Sequence, residues 1–410
     1  MKLKLALTSS VFIFGSMPLY ADEFSKIFPV IERGRYLTTV GDCIACHTDP
    51  SGKPFAGGLA IETPFGKIVS PNITPDRETG IGAWTDEQFR RAMKEGIGEK
   101  GQHLYPAFPY AYYTKVSDND VKAIRAYLDT LEPVKNAVVS NQLPFPFNIR
   151  ASLIGWNLIN FTKGDYKPDT QKSEIWNRGS YIVQGLAHCG ACHTPKNIMG
   201  GDKSSKTYYG GVIQNWYAPA LNNDDRIGLG KWTVEDVVEY LKTGHNKFAA
   251  ASGPMAEVVG YSTSQMSEND LSAIAIYLKD QPGENSKVPA INKSDQAFLS
   301  GKDMYQASCS ACHSENGAGI SKLFPALAGS GAVQSDDPTS LIRVILNGGQ
   351  SAATNSNPTA AAMPTFGWKY NDAQIADILN YVRNDFGNSA IKVTPAQVKD
   401  LRKKLSKSEN

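Results

Sequence analysis

Every cysteine in this chain belongs to one repeated unit. C-x-x-C-H occurs as "CIACH" from residue 43, "CGACH" from residue 189 and "CSACH" from residue 309, and Cys43, Cys46, Cys189, Cys192, Cys309 and Cys312 are the full complement. This spacing leaves room for one compact domain around each unit, and 410 residues are too many for one ordinary core.

The surroundings of the motifs repeat as well. "ERGRYLTTVGDC", "WNRGSYIVQGLAHC" and "LSGKDMYQASC" each predict a helix running into the motif, with a glycine and an aromatic in each: Gly34/Tyr36, Gly179/Tyr181 and Gly301/Tyr305. Downstream, "SDNDVKAIRAYL", "SENDLSAIAIYL" and "NDAQIADILNYV" predict three capped helices. Ser117, Ser267 and Asn371 are the expected N-caps, with Asp120, Asp270 and Gln374 as capping-box partners. Tyr127, Tyr277 and Tyr381 share one face of these helices. Between them, "GAWTDEQFRRAMKEG" and "GKWTVEDVVEYLKTG" are near-copies with Trp84 and Trp232 in register, and "DPTSLIRVILNGG" is a third version without tryptophan.

C-x-x-C-H at a helix end has a specific use. Two thiols one turn apart can form thioethers with both vinyl groups of one haem, and the adjacent histidine then reaches the iron. A thioredoxin-type dithiol wants one C-x-x-C in a β-α-β setting, whereas this pattern is helical and tripled. Zinc needs four ligands and each motif offers three. Disulfides within C-x-x-C are strained and require no histidine. The expectation is three covalent haem c groups, ligated by His47, His193 and His313. Pro71, Pro219 and Pro325 lie in similar settings, "SPNI", "APAL" and "FPAL", and are expected to offer carbonyls to the second ring nitrogen of each histidine.

Electron-transfer haems usually carry a sixth ligand, and methionine is the common choice. Met363 in "AAAMPTFGWKYND" and Met255 in "SGPMAEVVGYSTSQMSEND" fit that position; Met266 directly precedes a cap and is assigned to a hydrophobic staple. The first unit departs from this. Its loop, "HLYPAFPYAYYTKVSD", has Phe108, which cannot ligate iron. Met93 falls on a predicted helix over 85–95 and is assigned to the core, which leaves His103 as the candidate near the loop. His188 is expected to hydrogen-bond a haem propionate, and His245, in a "KTGHNKF" turn, to be exposed.

The N-terminus "MKLKLALTSSVFIFGSMPLYA" has basic Lys2 and Lys4, a short apolar run and Ala21 before "DEF". It reads as a signal peptide over 1–21 and predicts a periplasmic chain. A net charge of +2 and the lack of a basic, aromatic-interleaved face argue against a nucleic-acid partner. One linker is unusually apolar: "FPFNIRASLIGWNLINF", with Ile154, Trp156, Leu158 and Phe161, is either a docking element for a partner or membrane, or packs on the chain's own domains.

Taken with the haem motifs, "FAGGLAIETPFGKIVSPNITPD", "LYPAFPY", "YIVQGLAHCGACHTPKN", "GPMAEVV" and "AAMPTFGW" resemble the triheme cytochrome c subunits of bacterial membrane-bound dehydrogenases, such as gluconate and alcohol dehydrogenase complexes. The resemblance spans nearly the whole chain after the leader. That family has methionine where this chain has Phe108. The resemblance implies a mainly α chain of three tandem class I cytochrome c-like domains with long loops. The repeats and the linkers between them place these units at 22–135, 173–282 and 296–390, with linkers at 136–172 and 283–295 and a tail at 391–410. The resemblance also implies an electron-transfer subunit rather than an enzyme, serving a flavin, quinone or molybdenum dehydrogenase that oxidises a sugar, sugar acid, alcohol or aldehyde. Electrons would pass to ubiquinone, with the chain attached peripherally to the outer face of the inner membrane. A freestanding shuttle and a haem peroxidase are the competing readings, although no nucleophile, acid–base pair or distal polar pair is recognisable.

Overall fold

Glycine sits where two helices cross, and this sets the fold. The computed structural model describes residues 19–408 apart from 286, 289 and 290; the expected leader lies outside the described residues, save for the backbone of its last three positions. The first stretch runs α1 (Leu19–Val40), α2 (Cys43–Cys46), a hairpin of β1 (Ala60–Thr63) and β2 (Gly66–Val69), α3 (Asp86–Glu95), α4 (Tyr110–Tyr113), α5 (Asp118–Leu128) and α6 (Ser152–Asn160). The second runs α7 (Glu174–Gln184), α8 (Gly190–His193), a hairpin of β3 (Gly211–Ile213) and β4 (Trp216–Ala218), α9 (Val234–Thr243), α10 (Pro254–Tyr261) and α11 (Glu268–Lys279). The third runs α12 (Gln296–Ser308), α13 (Ser310–His313), α14 (Gly331–Gln334), α15 (Thr339–Asn347), β5 (Gly349–Gln350) paired with β6 (Ala362–Met363), α16 (Asp372–Asn384) and α17 (Pro395–Ser408). The chain is mainly helical, and its strands form three two-stranded antiparallel ribbons among the described residues.

In each stretch the helix that enters the motif crosses the last capped helix: α1 on α5, α7 on α11, α12 on α16. A methyl group on Gly34 would lie 1.8 Å from the Ala123 carbonyl oxygen, one on Gly179 1.9 Å from that of Ala273, and one on Gly301 2.1 Å from that of Asp377. Only hydrogen fits there. The tyrosines expected on one face pack at these crossings, with Tyr127 and Tyr277 Cβ atoms beside Gly34 and Gly179. Tyr277 and Tyr381 are buried.

The expected caps form. Ser117, Ser267 and Asn371 accept from the backbone of Asp120, Asp270 and Gln374. Only Asn371 completes the reciprocal box. Asp120 and Asp270 turn their carboxylates elsewhere, because an arginine and a tyrosine compete for them. Arg33 Nε and Arg178 Nε donate to Asp120 and Asp270 at 2.7 and 2.8 Å. Tyr181 then reaches from the second stretch to Asp120 at 2.6 Å, and Tyr36 reaches from the first to Asp270 at 2.7 Å. The same hydroxyls accept from the cap amides, Ser117 to Tyr181 at 3.0 Å and Ser267 to Tyr36 at 3.3 Å. The third aromatic in the sequence pattern is not their equivalent. Tyr305 lies two positions further along and is fully buried, donating to the Ser314 carbonyl at 2.6 Å.

The core follows the same division. Leu37, Val116, Ile124 and Leu128 join Ile182, Val183, Leu186 and Leu271 in one apolar cluster shared by the first two stretches. Phe298, Tyr305, Ile342, Ile375 and Leu379 form a separate one. Residues 391–408 belong to this second cluster: Val398, Leu401 and Leu405 on α17 are buried in it, and Arg402 bonds Asp372 at 2.8 Å.

Candidate haem-binding site

Each motif is closed into a single turn by the histidine amide. His47, His193 and His313 donate N–H to the carbonyls of Cys43, Cys189 and Cys309 at 3.0, 3.1 and 2.9 Å. The turn holds both cysteines of a motif within reach of one bound group. All six are free thiols. Burial pushes the Cys43 and Cys189 thiols up to about 12 and Cys309 to about 11.

The proline carbonyls stand where the sequence predicts. Nδ1 of His47 donates to Pro71 O at 2.8 Å, that of His193 to Pro219 O at 2.6 Å and that of His313 to Pro325 O at 3.0 Å. The β1–β2 and β3–β4 hairpins deliver the first two carbonyls; the third comes from a tight loop closed by Ile320 N–H on the Phe324 carbonyl at 2.9 Å. With Nδ1 bonded in this way, Nε2 on the far side of each ring is the free donor atom. Burial lowers all three histidine pKa values, which keeps the rings neutral and able to coordinate. The donor set, two thiols and one oriented neutral imidazole per motif, fits covalent haem c.

The other candidates divide. Met255 sits in the first turn of α10, half-buried beside the small cluster of Ala251, Val259 and Ala352. Met363 lies on β6, opposite Gly349. Met93 is a core residue, as expected, and Met266, expected as a helix staple, is buried in the same cluster. Phe108 is half-buried with its ring edge-on to Tyr113, 5.4 Å between centroids. His103 is drawn to the linker: its ring lies 3.3 Å from Asn157 Nδ2 and its carbonyl accepts from Arg150 at 2.8 Å. His188 donates from Nδ1 to the Leu186 carbonyl at 2.8 Å and packs edge-on to Tyr112 and Tyr113.

His245 is buried, not exposed, at 3% accessibility. The reason is tertiary. Its turn folds back so that His245 pairs with Ala250, and residues 318–326 of the third stretch wall the cleft it lines. Its Nε2 has no hydrogen-bond partner, and burial lowers its pKa.

Sequence reasoning missed Asp42. It precedes Cys43 in a left-handed conformation (φ 51°), as His188 precedes Cys189 (φ 39°). Its Oδ1 is buried and unpartnered, and burial, reinforced by Glu257 on α10, pushes its pKa to about 8. The available signal was positional: a carboxylate directly before the first motif. Asp42 also acts on Cys192, and Cys192 raises the pKa of Cys46, so the first two motifs are electrostatic neighbours. Cys309 responds to burial, Lys369 and its own Cys312.

Comparison with known proteins agrees with this chemistry. The cytochrome c family model matches residues 31–132 and 298–385. The chain is 40% identical to the gluconate 2-dehydrogenase cytochrome c subunit of Pantoea cypripedii, over 91% of this chain and 90% of that protein. It is 39% identical to the cytochrome c subunit of the quinone alcohol dehydrogenase of Gluconobacter oxydans, over 88% and 79%. It is 38% identical to the fructose dehydrogenase cytochrome subunit of Gluconobacter japonicus, over 91% and 83%.

Proposed function

Because the chain belongs to the cytochrome c family, among the cytochrome c subunits of dehydrogenases, we propose that it is a triheme electron-transfer subunit of a periplasmic dehydrogenase complex. The observation that carries this reading is the threefold histidine-to-proline-carbonyl bond, repeated at each C-x-x-C-H motif.

In this reading the domains cover 22–135, 173–282 and 296–390, and each is a class I cytochrome c-like unit. Cys43 with Cys46, Cys189 with Cys192, and Cys309 with Cys312 hold one haem c each. His47, His193 and His313 are the proximal ligands; Met255 and Met363 complete the second and third sites. When bound, haem c supplies reversible one-electron chemistry at iron. The protein's residues orient the histidines and hold them neutral. Substrate oxidation belongs to a catalytic partner, which relatives suggest acts on a sugar, sugar acid or alcohol. Ubiquinone is the proposed acceptor, and the outer face of the inner membrane the proposed location.

The test is a haem count combined with a reduction assay. The native chain is expected to carry three haems by mass and to be reduced by its dehydrogenase with substrate. Cys43→Ala with Cys46→Ala should carry two. Three haems in that variant, or no reduction by a dehydrogenase, would sink the reading.

A further inference from the structure

We propose that the apolar face built by α6 and the loops at 145–149 and 198–199 is the surface on which this chain rests on an anionic phospholipid bilayer. This goes further than the proposed function by naming the contact surface, and it rests on that reading only for the chain's location.

The helix α6, "SLIGWNLIN", has no charged residue. Its inner side is settled: Leu153 and Trp156 are buried against Tyr110, and the Tyr110 hydroxyl donates to Asn157 at 2.6 Å. Its outer side carries Ile154, Leu158 and Ile159, the last two 82% and 68% exposed. At ~1.5 Å per residue a helix this short reaches only about 14 Å, too little to cross a bilayer, so it would lie in the plane of the interface. Among the described residues no helix is long and apolar enough to span a membrane.

Contacts beneath the exposed apolar groups tie the loops that carry them to one another and to α6. Trp156 Nε1 donates to the Met199 carbonyl at 2.9 Å, which fixes the loop carrying Ile198, 95% exposed. Phe65 packs on Phe147 with centroids 5.0 Å apart and also meets Gly200. Tyr105 donates to the Phe147 carbonyl at 3.0 Å, and Arg150 stacks over the Tyr105 ring at 4.5 Å. Phe145, close before Phe147 in the chain, is 79% exposed. The Trp156 and Tyr110 rings face inward, leaving Ile, Leu and Phe outside.

Charge selects the occupant. Residues 133–164 contain no Asp or Glu. Of their three cations, Lys135 is paired with Glu78 at 2.5 Å and Lys163 with Glu95, while Arg150, on the Tyr105 ring, is the guanidinium without a carboxylate partner among the described residues. Carboxylates bordering the face are already paired: Glu95 with Lys163 at 2.8 Å, Asp165 with Lys94 at 2.5 Å and Glu62 with Lys67 at 2.8 Å. An anionic headgroup layer therefore meets no free carboxylate there, and acyl chains meet bare aliphatic and aromatic groups.

The experiment is vesicle flotation of the haem-loaded chain, with phosphatidylcholine vesicles and with phosphatidylcholine–phosphatidylglycerol vesicles. Native protein should float with the anionic vesicles and less with the neutral ones. Phe145→Ser with Leu158→Ser, both exposed and outside the haem sites, should weaken flotation about tenfold while leaving the haem count and reduced spectrum unchanged. Absent flotation of the native chain, or equal flotation of the variant, would overturn the proposal. So would a variant that keeps flotation but no longer co-purifies with the dehydrogenase, which would make the face a protein interface. Loss of reduction by the dehydrogenase with flotation intact would count against the proposed function and leave this surface standing.

Discussion

Phe108 occupies the loop in which relatives of this family are expected to place a sixth ligand, and its ring packs on Tyr113 instead. A haem without a soft thioether should have a lower potential or remain high-spin. Resolved spectra and redox titration are therefore expected to show two methionine-type haems and one distinct haem. Phe108→Met should convert the distinct haem to low-spin and raise its potential; three equivalent haems in the native chain would refute this. His245 makes a separate prediction. Burial depresses its folded-state pKa, so its contribution to stability is full above the unfolded value of ~6.5 and is lost as pH falls below that toward the folded value. Melting temperatures of His245→Gln should decline less than those of the native chain between about pH 7 and about pH 5. A parallel decline would mean that His245 does not titrate with unfolding. His245 also shows why part of the site was illegible in sequence. His47 and Pro71 could be matched because motif and proline recur in the same local setting, whereas the cover over His245 comes from residues 318–326.

Among elements, the helix crossings were half legible. The recurring glycines marked them, and the caps at Ser117, Ser267 and Asn371 fixed where the partner helices begin. What could not be read was that Asp120 and Asp270 would leave the capping box for Arg33 and Arg178, since those arginines approach only after the helices cross. The crossing yields a test with a clear sign. In an isolated helix Gly→Ala would stabilise by ~1 kcal/mol. Here Gly34→Ala and Gly179→Ala must push the new methyl into a carbonyl oxygen under 2 Å away, and each should destabilise by about 1–3 kcal/mol or more. Denaturant titration decides, and a gain in stability would show that α1 and α5 can part without cost.

At the scale of the whole molecule, one core serves the first two stretches and another serves the third. Leu271 on α11 is fully buried in the core shared by the first two stretches. Leu271→Ala should cost about 2–5 kcal/mol. Hydrogen exchange should then rise together across 37–128 and 182–278 while 298–405 keeps its protection; exchange confined to 173–282 would show that the two stretches unfold independently. The exchange of bonds between Tyr36 and Asp270, and Tyr181 and Asp120, has a further consequence. Each partner gives and takes the same contact, as in an isologous dimer, so the pairing is symmetric and closed: it leaves no copy of that patch to receive another member. A third member has to join by a different surface. Here it does, with Arg226 of the second stretch bonded to the Gln334 carbonyl and Asp336, and the Tyr217 amide to Ser340. A closed pair has no head or tail; the unlike junction gives the chain two distinguishable ends and therefore a direction.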